Sequence, residues 1–123
     1  MKSVLIVDDQ PGIRLLLEEL LQREGYEASS AANGHQALEK MKNKQPDCVL
    51  LDMKMAGMDG TEVLTEIMNS WPEIPVFMMT GHGELELMEK VLEIGALRYF
   101  TKPFDIFEVR DAVNDLFTGQ QLR

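Results

Sequence analysis

Val49-Leu50-Leu51-Asp52 decides the fold. Three apolar residues of buried type run straight into one carboxylate, and a glycine-bearing loop, Met53-Lys54-Met55-Ala56-Gly57-Met58-Asp59-Gly60, follows. A second stretch of the same design, Val4-Leu5-Ile6-Val7, runs into Asp8-Asp9. Short apolar runs closed by turn residues are the pattern of strands buried on both faces of a parallel sheet. In such a sheet, ligands bind beyond the carboxyl ends of the strands. The two stretches therefore deliver three carboxylates to one edge.

Outward from these strands the chain alternates. The first strand, 3–7, leads through Asp8-Asp9-Gln10 to Pro11, which suits the first helical position. The helix runs to about Glu24, and Gly25 stops it. Ile13, Leu16, Leu17, Leu20 and Leu21 keep the spacing of a core-facing stripe, and Leu15 falls off it. Residues 26–31 form a weak strand suited to a sheet edge. Asn33 with Gln36, Asp59 with Glu62, and Asp105 with Glu108 are capping boxes. They open helices running to about Asn43, to near Ser70 and up to Gly119. Met58 with Val63 and Phe104 with Val109 stand at the matching staple positions. Strands are expected at 48–51, 74–79 and 97–100, and a helix from about Glu84 to Ile94. Five strand–helix units in strict alternation predict an α/β, doubly wound, five-stranded parallel sheet of order 2-1-3-4-5, a flavodoxin-like fold. With no repeat or linker, residues 1–123 are expected to form one domain.

Composition narrows the function. The net charge of −9 offers no basic footprint for nucleic acid. No apolar run approaches the roughly 20 residues that span a bilayer, and no basic amphipathic helix suits a membrane surface. A cytoplasmic protein is expected. Cys48, alone and inside an apolar strand, reads as a small buried thiol.

Three carboxylates held together repel unless a cation neutralises them. A hard divalent ion such as Mg²⁺ takes one or two carboxylates and keeps positions open for water and phosphate oxygen. Thr80 adds a hydroxyl at the end of the fourth strand, and Lys102 an ammonium after the fifth. Carboxylate nucleophile, metal, hydroxyl and lysine together suit a transferring phosphoryl group. There is no glycine-rich nucleotide loop, so the donor is expected to be a protein or a small molecule. Taken singly, each feature has a plainer meaning: Asp8-Asp9 as a helix cap, Thr80 as a strand-end hydroxyl, Lys102 as a solvated side chain. All four at the ends of four different strands favour the joint reading.

On these residues the chain resembles the receiver domains of two-component response regulators: Asp8-Asp9, Asp52, Thr80, Lys102-Pro103, and the loop from Met55 to Gly60. The resemblance implies that Asp52 takes a phosphoryl group from a phosphohistidine. It implies that Asp9, Asp52 and the Lys54 backbone carbonyl bind Mg²⁺ (Mn²⁺ or Ca²⁺ could substitute), with Asp8 acting through water. Thr80 would then hydrogen-bond the phosphoryl oxygen, Lys102 would pair with carboxylate or phosphate across a cis Lys102–Pro103 bond, and Tyr99 would switch together with Thr80. Ala56 stands where the family usually carries proline, which loosens the loop without removing a ligand.

The stretches from Asp8 to Arg14, Leu50 to Lys54, Gly81 to Glu84 and Lys102 to Ile106 are similar to single-domain, sporulation-type relay members of that family. That similarity implies a sensor histidine kinase, a histidine phosphotransferase and an aspartyl-phosphate phosphatase as partners of a protein that is a monomer before phosphorylation. Gln10, Ile13, Leu16, Lys54, His82, Pro103 and Phe104 become docking candidates, although Ile13 and Leu16 also fit the core. Lys54 and His82 are placed to shield the acyl phosphate from water, and His82 equally suits a solvated loop. His35 reads as surface. With no effector segment expected after the last helix, the output is relay, or else phosphorylation-switched docking or dimerisation. A Mg²⁺-dependent phosphatase would want a second acid where Lys54 stands.

Overall fold

Valine, isoleucine, leucine and methionine fill the inner strands because both faces of each must pack. In the computed structural model, which describes residues 1–81 and 85–118, the strands are β1 (Ser3–Val7), β2 (Glu27–Ala31), β3 (Cys48–Asp52), β4 (Val76–Thr80) and β5 (Arg98–Thr101). Alternating with them are α1 (Pro11–Arg23), α2 (Gly34–Asn43), α3 (Gly60–Ser70), α4 (Leu85–Ile94) and α5 (Ile106–Phe117). All pairings are parallel, in the order β2-β1-β3-β4-β5. The expected topology is the observed one, with the weak strand at an edge.

Strand alternation divides the core in two. Leu5, Val7, Val49, Leu51, Val76 and Met78 pack with α2, α3 and α4 on one face. Val4, Ile6, Cys48, Leu50, Phe77, Met79 and Phe100 pack with α1 and α5 on the other. Cys48 is fully buried, and burial pushes its thiol pKa up, as expected of an inert core thiol. Among the described residues no helix is long and apolar enough to cross a membrane.

The helix ends follow local chemistry. Asn33 accepts from the Gln36 amide and Asp59 from the Glu62 amide. The Gln36 side chain returns a bond to Ala32 N–H, one residue before the box pattern places it. The Asp105 side chain accepts from Phe107 N–H, while Glu108 N–H donates to the Asp105 carbonyl. Gly25 takes φ of +94°, the left-handed turn that ends α1. The fourth strand starts at Val76 and not at Ile74, because Ile74 N–H is held by Trp71 in the turn that leaves α3. The expected start of the fourth helix at Glu84 and the Gly119 stop lie outside the described residues.

One expectation about packing fails. Leu17 and Leu21 are buried, and Leu15, expected off the stripe, is 61% exposed, but Leu16, expected on it, is 46% exposed. Leu16 is not core. The stripe on α1 is narrower than its periodicity allows, because only α5 and one sheet face press on it.

Candidate functional site

The ends of β1, β3 and β5 carry the charged groups inward. Asp8 follows β1 directly and is fully buried; Asp52 ends β3 and is 4% exposed. Asp9, in the turn, is exposed. Carboxylate oxygens of the three lie within 4.8 Å of one another. Lys102 bridges two of them, its Nζ 3.1 Å from Asp8 Oδ2 and 3.1 Å from Asp52 Oδ1. Parity explains the meeting. Asp8 continues the Val4–Ile6 series, Asp52 the Cys48–Leu50 series and Lys102 follows Phe100, so all three belong to the α1–α5 face.

Charge is under tension here. Burial first, and the Asp8 carboxylate second, push the Asp52 pKa up to about 6 against the pull of Lys102. Burial pulls the Lys102 ammonium down, but Asp52 and Asp8 outweigh it and leave its pKa above the ordinary value. One ammonium against three carboxylates leaves an excess of negative charge. An oxygen-rich pocket with one exposed acid as entry fits a small divalent cation.

Asp8 has little left to offer directly. Its Oδ1 accepts from Gln10 N–H at 2.9 Å, its Oδ2 from Lys102, and its carbonyl from Arg14 Nη1 at 2.6 Å. Lys54 is exposed on the loop after β3. That loop is fixed at its far end by Gly60, whose N–H donates to the Met53 carbonyl at 2.8 Å. A Cβ at Gly60 would strike the backbone of Asp52 and Met53, so glycine is what lets α3 start against the strand that ends in Asp52.

Thr80 belongs to the other parity. It is fully buried on the face of Met78, and its hydroxyl donates to the Phe100 carbonyl at 3.4 Å. Its carbonyl accepts from Lys102 N–H at 2.6 Å, so β4 and the lysine share one joint. Tyr99 is half-buried on the same face as Thr80. The Lys102–Pro103 bond is cis, as expected.

Beside the acids lies a groove of about 520 Å³ whose lining includes Gln10, Ile13, Leu16, Pro103 and Phe104, together with Lys102 and Gly81. Five of the seven docking candidates thus share one surface. Lys54 is not among the groove's residues, and His82 lies outside the described residues. His35 is exposed on α2, as expected. Two residues escaped attention in the sequence. Ile106 also lines the groove, and an apolar residue opening a helix carries no distinctive signal. Arg14 did leave one: a cation beside the first turn of a helix opposes the helix dipole, so another partner was to be sought.

Known proteins carry the same design. Residues 4–114 match the response regulator receiver domain. Sporulation initiation phosphotransferase F of Bacillus subtilis (strain 168) is 52% identical over 112 residues, which cover 91% of this chain and 90% of that protein. The transcriptional regulatory protein ZraR of Klebsiella oxytoca is 39% identical over 98% of this chain, which spans only 27% of ZraR. The crystal structure of the receiver domain of NtrX from Brucella abortus superposes with a TM-score of 0.85 at 35% identity, covering 94% of this chain and 98% of that one. With the family matched over residues 4–114 and a relative 52% identical across nine-tenths of both chains, the chain belongs to the response regulator receiver domains.

Proposed function

We propose that this receiver takes a phosphoryl group onto Asp52 from a kinase phosphohistidine and passes it to a histidine phosphotransferase. The observation that carries the reading is the Lys102 ammonium held 3.1 Å from both Asp8 and Asp52 beside an exposed third acid. Asp52 Oδ attacks phosphorus; the P–N bond breaks, and the imidazole leaves with the electron pair. Asp9, Asp52 and the Lys54 carbonyl would hold Mg²⁺, with Asp8, its oxygens already engaged by Gln10 N–H and Lys102, supporting the site from behind. The ion supplies neutralisation of the phosphoryl oxygens. Lys102 follows the charge from carboxylate to phosphate. Thr80 leaves the Phe100 carbonyl for a phosphoryl oxygen, and Tyr99, on the same face, responds. Onward transfer is supported by the likeness to sporulation initiation phosphotransferase F, a phosphotransferase by name, and by the apolar groove beside the acids.

The test is to load the protein with acetyl phosphate and Mg²⁺, with Asp52→Asn as control, then add a histidine phosphotransferase from the same organism. Label leaving Asp52 for a partner histidine is the expected result. Label that stays, with dimerisation on size-exclusion chromatography, supports the second reading, phosphorylation-switched docking. That reading draws on Leu92 on α4 and Leu97 just before β5, 42% and 51% exposed. Failure of the parent chain to load would overturn both.

A further inference from the structure

The helix that carries the acid turn lacks the cap its neighbours have. Asn33, Asp59 and Asp105 each accept a backbone N–H at the start of α2, α3 and α5. Gln10, at the start of α1, makes no side-chain cap bond, and no acid stands in the first turn. In place of a cap, Arg14 reaches back from the helix and donates through Nη1 to the Asp8 carbonyl at 2.6 Å. That carbonyl belongs to the peptide joining Asp8 to Asp9. The same turn is held by Asp8 N–H on the Ala31 carbonyl at 3.2 Å, and by Gln10 N–H on Asp8 Oδ1 at 2.9 Å. Of the acid cluster, only Asp9 is exposed and needs its direction set from the backbone.

We propose that Arg14 is a positioning residue for divalent-cation binding: by gripping the Asp8–Asp9 peptide it aims the Asp9 carboxylate at Asp52. The assignment rests on the acid cluster being a cation site. Its sign separates it from simple electrostatics. A guanidinium near a cation site repels the incoming ion, so deleting the charge alone would tighten binding. Loss of a positioning contact loosens it instead. The planar, always-charged guanidinium suits the task, because it makes a strong hydrogen bond to a carbonyl from a half-buried place.

The experiment titrates MgCl₂ into the full chain by isothermal calorimetry, for the parent, Arg14→Ala and Arg14→Lys, with thermal melting alongside. The Mg²⁺ Kd of Arg14→Ala is expected to rise about tenfold, the scale of losing an outer-shell partner. Arg14→Lys, which keeps a donor of similar reach, recovers part of the loss. Saturating Mg²⁺ should return the acetyl phosphate loading of Arg14→Ala to near the parent's. A Kd unchanged or lowered in folded Arg14→Ala overturns the proposal while leaving the cation site standing. If Arg14→Ala fails to fold, Arg14→Lys decides: a parent-like Kd overturns the demand for guanidinium geometry, and a raised one upholds it. No Mg²⁺ uptake by the parent chain overturns the assignment and the cation site together.

Discussion

At Asp52, chemistry and stability oppose each other. Its carboxyl is held up at about 6 by burial and then by Asp8, so the folded chain keeps this proton more tightly than the unfolded chain does. Ionised Asp52 therefore destabilises the metal-free fold at neutral pH, and the effect is lost as pH falls from 6 towards the ordinary aspartate range near 4. Asp52→Asn is expected to be more stable than the parent at pH 7.5 by about 1–2 kcal/mol, discounted for solvent reaching the site. That gap should close between pH 6 and about pH 4. Urea midpoints across this range measure it. A gap that is absent at pH 7.5, or that widens on acidification, contradicts a strained carboxylate. Mg²⁺ at ten times its Kd should stabilise the parent by about 1.4 kcal/mol and Asp52→Asn by less.

Among the elements, caps and close contacts do different work. Asn33→Ala removes a bond at the start of α2 in which none of the acids takes part, and is expected to cost about 1 kcal/mol without slowing phosphorylation. Gly60→Ala drives a methyl into the backbone of Asp52 and Met53, which cannot yield as a side chain would. It should cost about 1–3 kcal/mol and slow acetyl phosphate loading as well. Chemical denaturation and a loading time course tell the two apart; equal loading rates would show that the β3 end tolerates displacement. The strands were legible in the sequence because each ended in a charge or a turn, and α2, α3 and α5 because their caps stood at fixed offsets. Ile74 was misplaced by two residues because an apolar residue in a turn has the composition of a strand.

For the molecule as a whole, four strand ends were enough to place Asp8, Asp52, Thr80 and Lys102 at one edge. What periodicity could not show was contact between distant elements. The Arg14 bond to the Asp8 carbonyl, the Thr80 bond to the Phe100 carbonyl and the exposure of Leu16 all depend on how helices and strands meet. Leu16, 46% exposed on the groove, gives the test at this scale. Leu16→Ala should leave acetyl phosphate loading within about twofold and slow transfer to the phosphotransferase by about thirtyfold, the measure of losing an interface anchor of about 2 kcal/mol. Transfer at the parent's rate would move the docking surface elsewhere.

The alternation that puts Asp8, Asp52 and Lys102 on the α1–α5 face puts Thr80 and Tyr99 on the opposite one. On the second reading, phosphorylation-switched docking, the sheet works as a wall between two rooms, with writing done in one and reading in the other, and the Thr80–Lys102 joint as the door. A donor and a listener then have separate addresses on a single small protein. Either address can change its occupant over evolutionary time without renegotiating the other.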